Sequence, residues 1–223
     1  MQPTAIFDLD GTLVDSVPDI HAALNRLMAA RALPGFSLAQ VTGFIGDGVP
    51  TLLLRAFAAH GQQPDTTAYP EFLADYEASA AIHTRPFEGI PAVLDALQAS
   101  GWRLAVCTNK PEAAARLLLE ALGLLGRFAA VGGGDSFPTR KPDPAHLLAT
   151  LRLAGGAPER SVMIGDHHND MAAAAGAGMP AVFVAWGYGA RDAAGGAPVA
   201  ERASELPALL ASALAATPST SMR

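Results

Sequence analysis

Along the chain, short apolar runs alternate with longer stretches in which apolar residues recur every three or four positions. The runs are "AIF" at 5–7, "RLAVC" at 103–107, "FAAVG" at 128–132, "SVMIG" at 161–165 and "AVFVAW" at 181–186. They lack the in-out alternation of a half-exposed antiparallel sheet and read as strands buried on both faces. The stretches between them have helix punctuation. One helix begins near Pro91 and stops at Gly101, another has Pro111 in its first turn and ends by Gly123, and a third starts at Asp143-Pro144 and ends by Gly155. Proline just inside the start and glycine just past the end is the expected asymmetry. Strand and helix in this order predict an α/β fold, a Rossmann-like open parallel sheet built of right-handed βαβ units.

The first strand breaks the rhythm. Residues 16–86 offer no strand and read as helices over roughly 17–32, 49–60 and 66–81. So long a segment exceeds an ordinary strand-to-helix loop. It is expected to form an inserted α-helical cap, leaving a core of residues 1–15 and 87–216, with hinges at both crossings. Residues 217–223 read as a frayed, disordered tail.

Composition narrows the function classes. Of the 223 residues, 50% are hydrophobic and 16% charged, enough apolar material for a large core and too much for a disordered chain. The formal net charge of -6 disfavours a nucleic-acid partner and an anionic membrane surface. Cys107 is the single cysteine, which excludes an intrachain disulfide and a cysteine-based zinc site. The start shows no secretory pattern and no apolar run approaches bilayer length. The expectation is a cytoplasmic protein, monomer or homodimer, that acts on a small molecule.

Polar chemistry gathers where the predicted strands end, the edge at which open parallel sheets bind ligands. The first strand ends in Asp8-Leu9-Asp10, the second in Thr108-Asn109-Lys110. The third runs into a loop carrying Lys141, and the fourth ends in "DHHND" with Asp166 and Asp170. Asp8 and Asp10, two positions apart on extended backbone, point the same way, and Gly11 beside them permits close approach of a ligand. Carboxylates forced together need compensating charge. A cluster of oxygen ligands without cysteine suits a hard divalent cation, Mg2+ above all. Lys141 would neutralise an anion there, and Thr108 could donate to a phosphate oxygen. Read singly, each has a plainer role: a solvated lysine, a threonine bonded to local backbone, an aspartate capping a turn. Their ordered convergence on one rim is what favours a phosphate site.

Taken together, "DLDGTLVDS", Thr108, Lys141 in "KPDP" and "GDHHND" resemble the four motifs of the haloacid dehalogenase superfamily, over nearly the whole chain. Within it, "GFIGDGVPTLLLRAF" at 43–57 and "RPFEGI" at 85–90 are similar to the cap segment and return hinge of the phosphoglycolate phosphatase subfamily. Two positions depart: His167 stands where the family usually has a small hydroxyl residue, and Glu88-Gly89 where it usually has Pro-Gly. The resemblance implies a phosphomonoester hydrolase. Asp8 would be the nucleophile and form an aspartyl-phosphate, and Asp10 the proton carrier. Mg2+ would be held by Asp8, the Asp10 carbonyl, Asp166 and, through water, Asp170. Lys141, Thr108, Asn109 and the Gly11 region would orient the phosphoryl oxygens. His167 and His168 are expected beside the site rather than as ligands. The implied substrate is 2-phosphoglycolate, with Arg55, Arg85 and the Gly46–Gly48 backbone as candidate donors to its carboxylate. The alternatives are another small phosphomonoester such as a sugar phosphate, a phosphosugar mutase, and a non-catalytic phospho-ligand binding module. No G-x-G-x-x-G follows the first strand, which excludes a nucleotide-binding oxidoreductase.

Overall fold

The computed structural model describes residues 2–79 and 81–216; the tail expected at 217–223 lies outside them. In chain order the elements are β1 (Thr4–Phe7), β2 (Val14–Asp15), α1 (Val17–Ala29), α2 (Leu38–Thr42), α3 (Val49–Ala58), α4 (Ala68–Ala78), β3 (Arg85–Pro86), α5 (Ile90–Ala99), β4 (Arg103–Cys107), α6 (Glu112–Ala121), β5 (Ala130–Gly132), α7 (Pro144–Leu153), β6 (Ser161–Gly165), α8 (His168–Gly176), β7 (Ala181–Val184), β8 (Val199–Ala200) and α9 (Leu206–Ala216).

Six strands form one sheet in the order β5-β4-β1-β6-β7-β8, every neighbouring pair parallel. Successive side chains on a strand point to opposite faces. Ala5, Phe7, Leu104, Val106, Val162 and Ile164 therefore pack with α5, α6 and α9 on one side. Ile6, Ala105, Cys107 and Met163 pack with Leu147 and Leu151 of α7 and Ala173 and Ala174 of α8 on the other. Both faces are covered, which is why the strands read as unbroken apolar runs. Chain order reverses direction at β1, flanked by β4 and β6, so its carboxyl end lies where such sheets bind ligands.

Helices α1–α4 bury a separate apolar cluster centred on Leu24, Met28, Leu53, Phe57 and Phe72, which meets the rest of the molecule at Ala114 of α6. The stretch 16–86 is helical but for β3 at its very end. Arg85–Pro86 pairs antiparallel with Val14–Asp15, a two-residue ribbon the sequence reading did not expect. Asp19, buried on α1, braces the ribbon by accepting bonds from His83 N, Thr84 N and the Thr84 hydroxyl. Among the described residues no helix is long and apolar enough to cross a membrane.

Candidate active site

The turn after β1 is built around Asp166. Gly11 has φ +88°, and a Cβ there would lie 2.4 Å from an Asp166 carboxylate oxygen, so a side chain is excluded twice over. Thr12 Oγ1 donates to Asp166 at 2.8 Å, as does Tyr188 N. Asp8, held by its N–H to the Ile164 carbonyl of β6, stands beside Asp166 and Asp170. Oxygens from these three buried carboxylates lie within 4.8 Å of one another. Lys141 Nζ sits 2.5 Å from Asp170 and 2.9 Å from Asp8 Oδ1. Apart from this ion pair, buried Asp8 Oδ1 has no further hydrogen-bond partner.

The cluster carries more negative than positive charge. Burial pushes Asp8 up to about 6, with Lys141 opposing and Asp170 reinforcing. Burial, then the charges of Asp8 and Asp170, push Asp166 up to about 7. Three carboxylates face one ammonium. The donor set and the excess of negative charge both fit a hard divalent cation.

Asp10 stands apart from the cluster. Its carboxylate accepts from the Ser16 hydroxyl at 2.6 Å and from Lys110 Nζ at 3.2 Å. Ser16 precedes α1 without a side-chain cap to it, its hydroxyl turned to Asp10 instead. Thr108, 2% exposed, lies at the end of β4, and its Oγ1 accepts from Lys110 N. Asn109 Nδ2 donates to the Lys141 carbonyl at 2.9 Å and to Gly46 O at 3.1 Å. It thereby ties two loops rather than standing free for a phosphate.

A cleft opens over Asp8, Asp10, Thr108 and Lys110, roofed by Ile45, Val49, Leu52 and Tyr76 from the helical segment. Gly46 O also accepts from Asn169 Nδ2, which donates to Asp47 as well. Gly46 has φ +119°, and a Cβ there would meet His167 Nε2 at 2.6 Å. The expected cap donors are only partly present. Gly46 and Gly48 line the cleft. Arg55 is spent on Asp47 and the Phe44 carbonyl, and Arg85 on carbonyls of its own segment. Neither arginine lines the cleft.

Residues 3–178 match the haloacid dehalogenase-like hydrolases. A phosphoglycolate phosphatase of Cereibacter sphaeroides is 46% identical over 190 residues, covering 83% of this chain and 86% of that one. One of Agrobacterium fabrum is 44% identical, covering 84% and 82%. The crystal structure of a predicted phosphoglycolate phosphatase from Haemophilus somnus superposes with a TM-score of 0.85 at 28% identity, covering 93% and 97%. The chain belongs to the haloacid dehalogenase-like hydrolase family. It is an enzyme of the phosphoric monoester hydrolase class.

Family membership throws the departures into relief. His167, where the sequence reading expected a small hydroxyl residue, accepts at Nδ1 from Asn169 N and so caps α8. The same ring supports the Gly46 loop, which gives a concrete role to a residue expected only to stand near the site. His168 is exposed. Two important residues escaped the sequence reading. His146, fully buried, accepts from Lys141 N at Nδ1 and donates from Nε2 to the Gly133 carbonyl. Burial and the Lys141 charge lower it to about 4, so the ring is neutral and can do both. The other is Lys110, whose importance rests on Asp10 and Tyr76, both remote in sequence.

Proposed function

We propose that this hydrolase cleaves 2-phosphoglycolate to glycolate and phosphate through an aspartyl-phosphate on Asp8. The observation that carries the reading is the separation of the two aspartates at the end of β1. Asp8 is paired with Lys141 beside Asp166 and Asp170, while Asp10 lies apart on the cleft floor with its own partners. Asp8 attacks phosphorus, and the ester oxygen leaves with a proton from Asp10. Asp10 then takes a proton from water as that water attacks the aspartyl-phosphate, releasing phosphate and restoring Asp8. Lys141 offsets the charge of the phosphoryl oxygens, Thr108 and the Gly11 turn orient them, and Asn109 holds the Lys141 loop in place. Asp8, Asp166, Asp170 and the Asp10 carbonyl would hold Mg2+. The bound cation would add positive charge against the transferring phosphoryl group.

Residues 16–86 act as a cap over the core of 1–15 and 87–216. Phosphoglycolate as substrate is supported by the names of the relatives above 40% identity and by the apolar cap wall, which offers few partners to the hydroxyls of a sugar phosphate. The lone buried cysteine accords with a reducing cytoplasm. The test is phosphate release across a panel of monoesters, with and without magnesium. Asp8→Asn should lose turnover and phosphoenzyme trapping altogether. Asp10→Asn should still bind magnesium and vanadate while turnover falls about 10²–10⁴-fold. Full activity in either variant would sink the mechanism, and preference for a sugar phosphate would overturn the substrate.

A further inference from the structure

One charged side chain on the cleft wall is only partly used by this mechanism. Lys110 is 7% exposed, yet it lines the cleft and is the only cationic residue to do so among the described residues. Its Nζ lies 3.2 Å from each Asp10 carboxylate oxygen and 4.3 Å from the centre of the Tyr76 ring. An ammonium has three N–H donors. Asp10 accounts for two, which leaves a third.

Tyr76, on α4, supplies a second and independent observation. It is 2% exposed and lines the same cleft; its hydroxyl neighbours Lys110 but makes no hydrogen bond of good geometry. A buried hydroxyl left unpaired is costly, and such exceptions call for an explanation. Around these two groups the wall is hydrocarbon from Ile20, Val49, Leu52 and Phe72. A polyhydroxylated ligand would bury hydroxyls there without partners. A ligand with a single compact anionic group would satisfy the spare ammonium proton and the orphan hydroxyl together.

We propose that Lys110 and Tyr76 form the subsite for the substrate's carboxylate and select short monoesters bearing one acidic group. This rests on the phosphatase reading above and assigns its specificity to these two side chains, in place of Arg55 and Arg85. The subsite joins the two halves of the molecule, since Lys110 follows β4 of the sheet and Tyr76 belongs to the helical segment. The carboxylate bridges them over Asp10.

The test compares 2-phosphoglycolate with ethyl phosphate, an ester of the same length lacking the carboxylate, on the full-length magnesium-loaded enzyme. Wild type should favour phosphoglycolate in kcat/KM by about 100-fold or more. Lys110→Met should shrink that ratio at least about tenfold and Tyr76→Phe about threefold or more, while Lys110→Arg should retain part of it. Equal proportional losses on both esters in Lys110→Met and Tyr76→Phe would overturn the proposal, since Lys110 would then serve Asp10 alone. Should Lys110→Met not fold, Tyr76→Phe decides the matter, because it removes a single oxygen. Wild type that cleaves other monoesters but not phosphoglycolate would overturn the substrate assignment instead.

Discussion

Asp8 and Asp166 have carboxyl groups raised from an ordinary 3.8 to about 6 and about 7. Between 3.8 and about 7 the folded chain therefore holds protons that the unfolded chain has released, and these two groups make stability fall as pH rises. His146, lowered to about 4, works the other way and loses stability as pH falls. A cation competing with the protons on the carboxylates isolates their share. The magnesium-induced rise in Tm should be larger at pH 8 than at pH 5, and the difference should flatten in Asp166→Asn. An equal rise at both pH values would contradict it. Spacing placed Asp166 and Asp170 around the start of a helix, but it put Asp8 and Asp10 side by side, whereas the turn after β1 parts them. Lys110 was not legible, because its meaning comes from burial against Tyr76, which sequence spacing does not encode.

At the level of elements, the contact between the Gly46 loop and α8 joins the helical segment to the sheet. Gly46 has a φ that L side chains rarely adopt, and its Cα faces the His167 ring. Gly46→Ala should open this joint at a cost of about 1–3 kcal/mol, read as faster amide exchange in the 44–48 loop and lower kcat/KM. Adding His167→Ala should relieve the clash while the backbone strain persists, so recovery should be partial. Full recovery would mean the strain is negligible. The strands of the sheet were readable because burial on both faces leaves an apolar run, though "FAAVG" and "AVFVAW" shorten to Ala130–Gly132 and Ala181–Val184. Pro111 proved to be the cap of α6 rather than part of its first turn. Helix α2 was missed although Ser37 and Gln40 form a capping box, a signal present in "SLAQ". Strands β2, β3 and β8 have two residues each, too few to show any period.

In the molecule as a whole, the apolar cluster of α1–α4 is separate from the two clusters on either face of the sheet. Phe57, 2% exposed at the centre of the first, should cost about 3–5 kcal/mol when replaced by alanine. The loss should fall on the helical segment, so urea unfolding of Phe57→Ala followed by Trp102 and Trp186, which pack against the sheet cluster, should lag behind far-ultraviolet dichroism. Coincident curves would show that the two parts unfold as one. The parallel sheet and the helical character of the stretch after β2 were legible, because that stretch is longer than any loop. The way the two are stitched together was not, since it depends on the short ribbon at residues 14–15 and 85–86. That ribbon has a consequence for ancestry and engineering. Val14 and Pro86 are direct partners, so to the sheet everything between them is one outsized hairpin loop. Lengthening such a loop adds little closure entropy. A lineage could therefore exchange one roof for another, and with it the substrate, while the catalytic floor beneath goes on folding as before.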